Sequence, residues 1–185
     1  MRLGLVACVL LAVVGMAAAA DITDAFSSVV IEVPNPITIK AGAQANIDID
    51  TLSATVASPG ADGILTIAAD TAAPTDAAVL TVDIATLKEI SALVEGAKVT
   101  LQSLTTTVDP FTIKTAKDAS VTGDLAGPNV VLEVAGGTVD LKGDIVALAL
   151  TIAAKTRKNQ AGAPADSTVK VDKVTGTATV TNPET

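Results

Sequence analysis

The stretch Glu133-Val134-Ala135-Gly136-Gly137-Thr138-Val139-Asp140-Leu141 decides how this chain folds. Residues alternate, meet two glycines, then alternate again. Side chains two apart in a strand share one side, and glycine supplies the backbone conformations of a tight corner. Working outward, Leu93 to Leu101 has the same form around Gly96. Thr112 to Val121 repeats it, and Thr151-Ile152-Ala153-Ala154 begins it once more. Taking Val94, Ile113, Val134 and Ile152 as equivalents gives steps of 19, 21 and 18 residues (113 − 94, 134 − 113, 152 − 134). A coil this short cannot bury its apolar side alone and must stack on its neighbours. The expected fold is therefore all-β: a right-handed β-helix or β-solenoid with irregular coils of roughly 18–21 residues.

Alternation continues elsewhere, in Ile37-Thr38-Ile39-Lys40, Ile47-Asp48-Ile49-Asp50, Leu80-Thr81-Val82-Asp83-Ile84 and Val169-Lys170-Val171-Asp172. Expected corners are Gly42, Ser58-Pro59-Gly60, Asp62-Gly63, Gly96, Gly127-Pro128-Asn129, Gly136-Gly137 and Gly143-Asp144. Ala85 to Ala92 carries Leu87, Ile90 and Leu93 near helical spacing, but period-two segments flank it, so it reads as a turn between strands. Residues 155–167 are polar, with Gly162 and Pro164, and read as a loop inserted between the last two coils.

The first twenty residues read as a cleaved secretory signal. Arg2 is followed by an apolar run to Val14, then by small residues to Ala20, with Asp21 opening polar sequence. Residues 21–185 are then a single solenoid domain outside the cytoplasm: secreted, periplasmic or on the cell surface. Losing Arg2 takes the formal charge from −8 to −9, which repels nucleic acid and anionic lipid. Cys8, the only cysteine, leaves with the signal, so no disulfide is expected and stability falls to the core. The basic run Lys155-Thr156-Arg157-Lys158 reads as a solvated loop.

The pattern resembles the putative auto-transporter adhesin, head GIN domain family over most of residues 21–185. Phe26 through Ile31-Glu32-Val33 and Ile37-Thr38-Ile39 match its opening strands, and Ile47-Asp48-Ile49 and Ile64-Leu65-Thr66-Ile67 the next. Val82 to Ile90 matches its strand and turn. Val94-Glu95-Gly96-Ala97-Lys98-Val99 and Val134-Ala135-Gly136-Gly137-Thr138-Val139-Asp140-Leu141 match its later coils. The Ile113 coil departs, with Ala116 where glycine is usual, and the Ile152 coil breaks into the long loop. The resemblance implies a secreted β-helical, adhesin-like domain and brings no catalytic residue with it.

Residues 21–185 contain no His, Cys, Trp or Tyr. Histidine bases, thiol nucleophiles, Ser-His-Asp triads and His or Cys metal sites are thereby excluded. Neither a phosphate-cradling G-x-x-x-x-G-K-[ST] loop nor a dinucleotide fingerprint is present. Carboxylates are the remaining option. Asp48 and Asp50 share a strand side with Asn46, and Glu133, Asp140 and Asp144 are candidates to approach one another across coils. Surface Asp alternating with apolar residues is also what any solvated strand displays. Asn46 to Asp50 offers oxygens to calcium but lacks the D-x-[DN]-x-[DN]-G loop. Phe26 and Phe111 read as core rather than sugar-stacking rings. Thr105-Thr106-Thr107 and Thr175 to Thr179 are too short for a regular ice-binding array. No catalytic, cofactor-binding or metal-ligating residue is assigned.

The expectation is a secreted, non-enzymatic β-solenoid that acts as a surface or extracellular interaction module of unknown ligand. It needs no cofactor, binds no nucleic acid and is not integral to a membrane after signal removal. The alternative is a carboxylate-dependent polysaccharide hydrolase on the same scaffold; an ice or mineral binder is a third reading.

Overall fold

The structure, a computed structural model, describes residues 18–22, 25–43, 46–49, 54–56, 62–69, 77–152 and 167–181. All regular elements among them are strands. They are β1 (Ala18–Asp21), β2 (Ser28–Glu32), β3 (Pro36–Ala41), β4 (Asn46–Ile49), β5 (Ala54–Val56), β6 (Ile64–Ala69) and β7 (Ala78–Val82). There follow β8 (Glu89–Ala92), β9 (Lys98–Thr105), β10 (Phe111–Ala116), β11 (Ser120–Ala135), β12 (Gly137–Ile152), β13 (Ser167–Val174) and β14 (Ala178–Thr181).

Parallel pairing arranges them in two stacks over one core. In the first, β3, β9, the first half of β11, the first half of β12, and β13 lie side by side. In the second, β2, β8, β10, the second half of β11, the second half of β12, and β14 do the same. The apolar half of each alternation builds inward columns. Ile37, Val99, Val121, Val139 and Val169 form one. Val29, Ile90, Ile113, Leu132, Leu150 and Val180 form another. Val29, Ile90, Ile113 and Leu132 have no solvent exposure, and each such burial stabilises by roughly 1.5–3 kcal/mol. The all-β, solenoid-like expectation therefore holds, and so does the inward set: Val99, Leu101, Ile113, Val121, Val134, Val139 and Leu141 are buried, while Ile152 packs half-buried on the same cluster.

Of the coil equivalences, Val134 beside Ile152 holds, and the others need correction. Ile113 lies beside Leu132, not Val134, and Leu132 beside Leu150. The steps are 19 (132 − 113) and 18 (150 − 132), while Ile90 to Ile113 is 23. Val94 sits in the bend after β8 rather than in a strand. The expected turn from Ala85 to Ala92 is only partly one. Asp83 closes it, its carbonyl accepting from the Leu87 amide at 3.1 Å and its Oδ1 from the Ala85 amide at 3.0 Å. Glu89–Ala92 is then strand β8, because β2 and β10 offer it partners on both sides.

Corners are of two kinds. Gly96, Gly136 and Gly137 all have positive φ, as sharp turns require. At the coil where Ala116 replaces glycine, Lys117 takes the positive φ, 55°. By contrast, Gly127-Pro128-Asn129 and Gly143-Asp144 lie inside continuous strands. Pairing with the next coil runs through them, Gly127 beside Ile145 and Asn129 beside Ala147, so the ribbon bends without breaking. Register shifts between Gly123 and Leu125 and between Leu141 and Asp144 are bulges, the first upstream of the Gly127 bend and the second at the Gly143 bend. Antiparallel strands occupy the N-terminal end, with β4 on β7, β1 on β4, and β5 on β6. Residues 1–17, the basic run at 155–158 and most of the expected loop lie outside the described residues.

Candidate functional site

The polar half of the alternation faces outward and also stacks. Thr38, Thr100, Thr122, Asp140 and Lys170 stand in register on the first stack, one from each coil. Each of the last four follows a buried or half-buried valine: Val99, Val121, Val139 and Val169. Two residues further along, Lys40 lies beside Gln102, and Asp124 beside Lys142. An open depression of about 580 Å³ lies among Thr38, Thr100, Gln102, Thr122, Asp140 and Lys142. Gly123 lines it at the β11 bulge and contributes no side chain to fill it. A β-carbon there would overlap the Leu101 carbonyl oxygen of the coil beneath, so the position stays glycine and the surface stays hollow.

This surface offers hydroxyls that donate and accept, an amide, carboxylates and an ammonium. Asp140 Oδ1 lies 3.8 Å from Lys170 Nζ, an ion pair too long to be a hydrogen bond. That oxygen is shielded from solvent and accepts no hydrogen bond from the described residues. Lys170 Nζ also lies 3.7 Å from Asp172.

The second stack carries a smaller depression of about 360 Å³, bordered by Lys114, Glu133 and Thr151. Lys114 bridges three coils, 2.9 Å from Glu89 Oε2 and 3.7 Å from Glu133 Oε2. Its hydrogen bond to Glu89 raises its pKa above the ordinary lysine value, with the charge of Glu89 and the Glu133 contacts adding and partial burial opposing. At the bend of the last coils Lys173 Nζ donates to Asp144 Oδ2 at 2.8 Å. That bond lowers the Asp144 pKa below its ordinary value.

The carboxylates considered from sequence are not brought together. Glu133 belongs to the second stack, Asp140 to the first and Asp144 to the bend, and each has its own lysine. Asn46 and Asp48 lie on β4, and Asp50 is outside the described residues. Among the described residues no group of three or more His, Cys, Asp or Glu is placed to hold a metal. Phe26 and Phe111 are core residues, 8 % and 0 % exposed. Thr106 is buried, and its Oγ1 accepts from the Val108 amide at 3.0 Å, so Thr105 to Thr107 form no flat row. Thr38, Thr100 and Thr122 do rank, in a column missed from sequence. Its only signal was the recurring valine before Thr100, Thr122, Asp140 and Lys170.

No helix among the described residues is long and apolar enough to cross a membrane. No family model matches the chain, and no curated protein does. Among solved structures it is similar to a "putative adhesin" from Parabacteroides merdae ATCC 43184, at 15 % identity, covering 91 % of this chain and 96 % of that one, with a TM-score of 0.36. It is also similar to a "putative adhesin" from Bacteroides fragilis NCTC 9343, at 12 % identity, covering 90 % and 96 %, with a TM-score of 0.38. Both likenesses are distant.

Proposed function

We propose that residues 21–185 form one right-handed β-solenoid, secreted after loss of residues 1–20, that binds an extracellular or cell-surface ligand without transforming it. The family resemblance of the sequence to head GIN domain adhesins supports this reading. The observation that carries it is the outward column Thr38, Thr100, Thr122, Asp140 and Lys170 beside an open depression. Strand spacing sets such side chains about 4.8 Å apart along the solenoid. A polar, chain-like ligand laid across the coils meets a new hydrogen-bonding group at each.

The hydrolytic alternative needs a carboxyl with a raised pKa beside an ionised one. Here Glu133, Asp140 and Asp144 stand apart, each paired with a different lysine, and the Asp144 pKa is lowered rather than raised by its bond to Lys173. The test is a glycan array probed with the mature protein, with a reducing-end assay run in parallel. Binding that is weakened by Thr122→Val or Asp140→Asn, with no reducing ends released, supports the proposal. Release of reducing ends that Asp140→Asn abolishes overturns it.

A further inference from the structure

The two ends of the solenoid differ. Antiparallel strands finish the N-terminal end. At the C-terminal end β13 and β14 each pair, among the described residues, with β12 alone. Their outer edges present the backbone donors and acceptors to which another strand adds. The core is open there as well. Val180 continues the column of Ile113, Leu132 and Leu150, yet it stands 65 % exposed. Val169, Val171 and Val174 continue Val139, Leu141 and Ile145 and are only half-buried. A capping coil of a solenoid ordinarily presents polar residues to water; the last described coil presents valines.

The charges on β13 select what covers that edge. The strand reads Val169-Lys170-Val171-Asp172, with valines inward and charges outward. Set antiparallel to itself and centred on Val171, it places Lys170 opposite Asp172 of the second copy. Two-fold symmetry makes that contact twice, and both Val171 side chains stay on the core side. Centring on Lys170 or on Asp172 would oppose like charges, which destabilises a strand pair. We propose that the protein forms a two-fold homodimer through its C-terminal coil, β13 against β13 centred on Val171. The interface is isologous and closes on itself, so it ends at two copies. The Lys170 side chain is 62 % exposed and already lies within 4 Å of carboxylates on β12 and β13, so pairing across the axis only exchanges one carboxylate for another.

Sedimentation of the full chain, purified after secretion, tests this. The wild type sediments as a dimer. Lys170→Glu alone sets two acids opposite each other, and Asp172→Lys alone sets two bases opposite each other. Each weakens self-association by about tenfold or more. Mixed in equal amounts, the two variants restore opposite charges at both contacts and associate as a heterodimer. Val180→Lys, at a position already exposed, breaks the same interface without touching the charge pairs. Circular dichroism matching the wild type accompanies each variant. A monomeric wild type, a mixture that fails to associate, or a dimer that survives Val180→Lys overturns the proposal.

Discussion

Gly137 packs so closely on Ala119 of the preceding coil that a β-carbon there would overlap the Ala119 carbonyl oxygen. Its φ of +85° is also one that side chains rarely adopt. Gly96 has a similar φ, +78°, but a β-carbon there would meet only Pro34 Cβ at 3.7 Å.

Gly96→Ala should therefore cost the left-handed strain alone, about 1–2 kcal/mol. Gly137→Ala should cost distinctly more, because backbone of two coils must also separate. Urea midpoints at unchanged slope measure both. Equal losses would mean that the coils do not approach at Gly137 as described.

Leu141 and Lys142 are neighbours on opposite sides of β12, the first with no exposure and the second exposed. Leu141→Ala should cost about 2–5 kcal/mol, and Leu141→Asp should prevent folding, since it buries an unpaired charge. Lys142→Glu should stay within about 0.5 kcal/mol. Thermal melts of the three variants check the order. Comparable melting of Leu141→Ala and Lys142→Glu would place the wrong side of β12 in the core.

Acid should weaken the last coils. The Asp144 pKa is lowered in the fold by its bond to Lys173, so the folded state binds the proton less readily than the unfolded state. That contribution is full above the unfolded value, near pH 4, and is lost as pH falls through the lower folded value. Lys114 works in the opposite sense. Its pKa is raised, so its contribution is full below about pH 10 and fades as pH rises through the folded value. Asp144→Asn should flatten the acid limb of a stability profile and leave the alkaline limb unchanged. Lys114→Gln should do the reverse. Both pairs are solvent-exposed, so each change leaves stability at neutral pH little altered.

Strand β1 spans the expected processing site. Cleavage after Ala20 would remove three of its four residues and leave β4 outermost at that end. Mass spectrometry of the secreted protein should find an N-terminus near Asp21. An intact Met1, or lipid on Cys8, would contradict the processing expected from the sequence.

Alternation made the strands legible, because Val99-Thr100-Leu101 and Val139-Asp140-Leu141 state which side chains turn inward. It could not fix the register. A slip of two residues keeps every side chain on its side, which is why Ile113 was matched to Val134 when it lies beside Leu132. The candidate site was hidden for the same reason. Thr38 and Thr100 are 62 residues apart and become neighbours only once β3 pairs with β9. Nor does local sequence show that β7 inserts between β3 and β4, parallel to one and antiparallel to the other.

The register is the claim on which columns, depression and edge all depend, and paired cysteines test it most directly. Cys8 is the only native cysteine, and a Cys8→Ser background leaves no native thiol to compete. Thr100 and Thr122 lie side by side, so their Cα atoms are about 4.8 Å apart, within reach of a disulfide. Thr100 and Ser120 are offset by two residues, about 8 Å, beyond that reach. Oxidation of the folded protein should link the Thr100→Cys/Thr122→Cys pair rapidly and leave Thr100→Cys/Ser120→Cys largely reduced. Preferential linkage of the Thr100 and Ser120 positions would contradict the stacking described here.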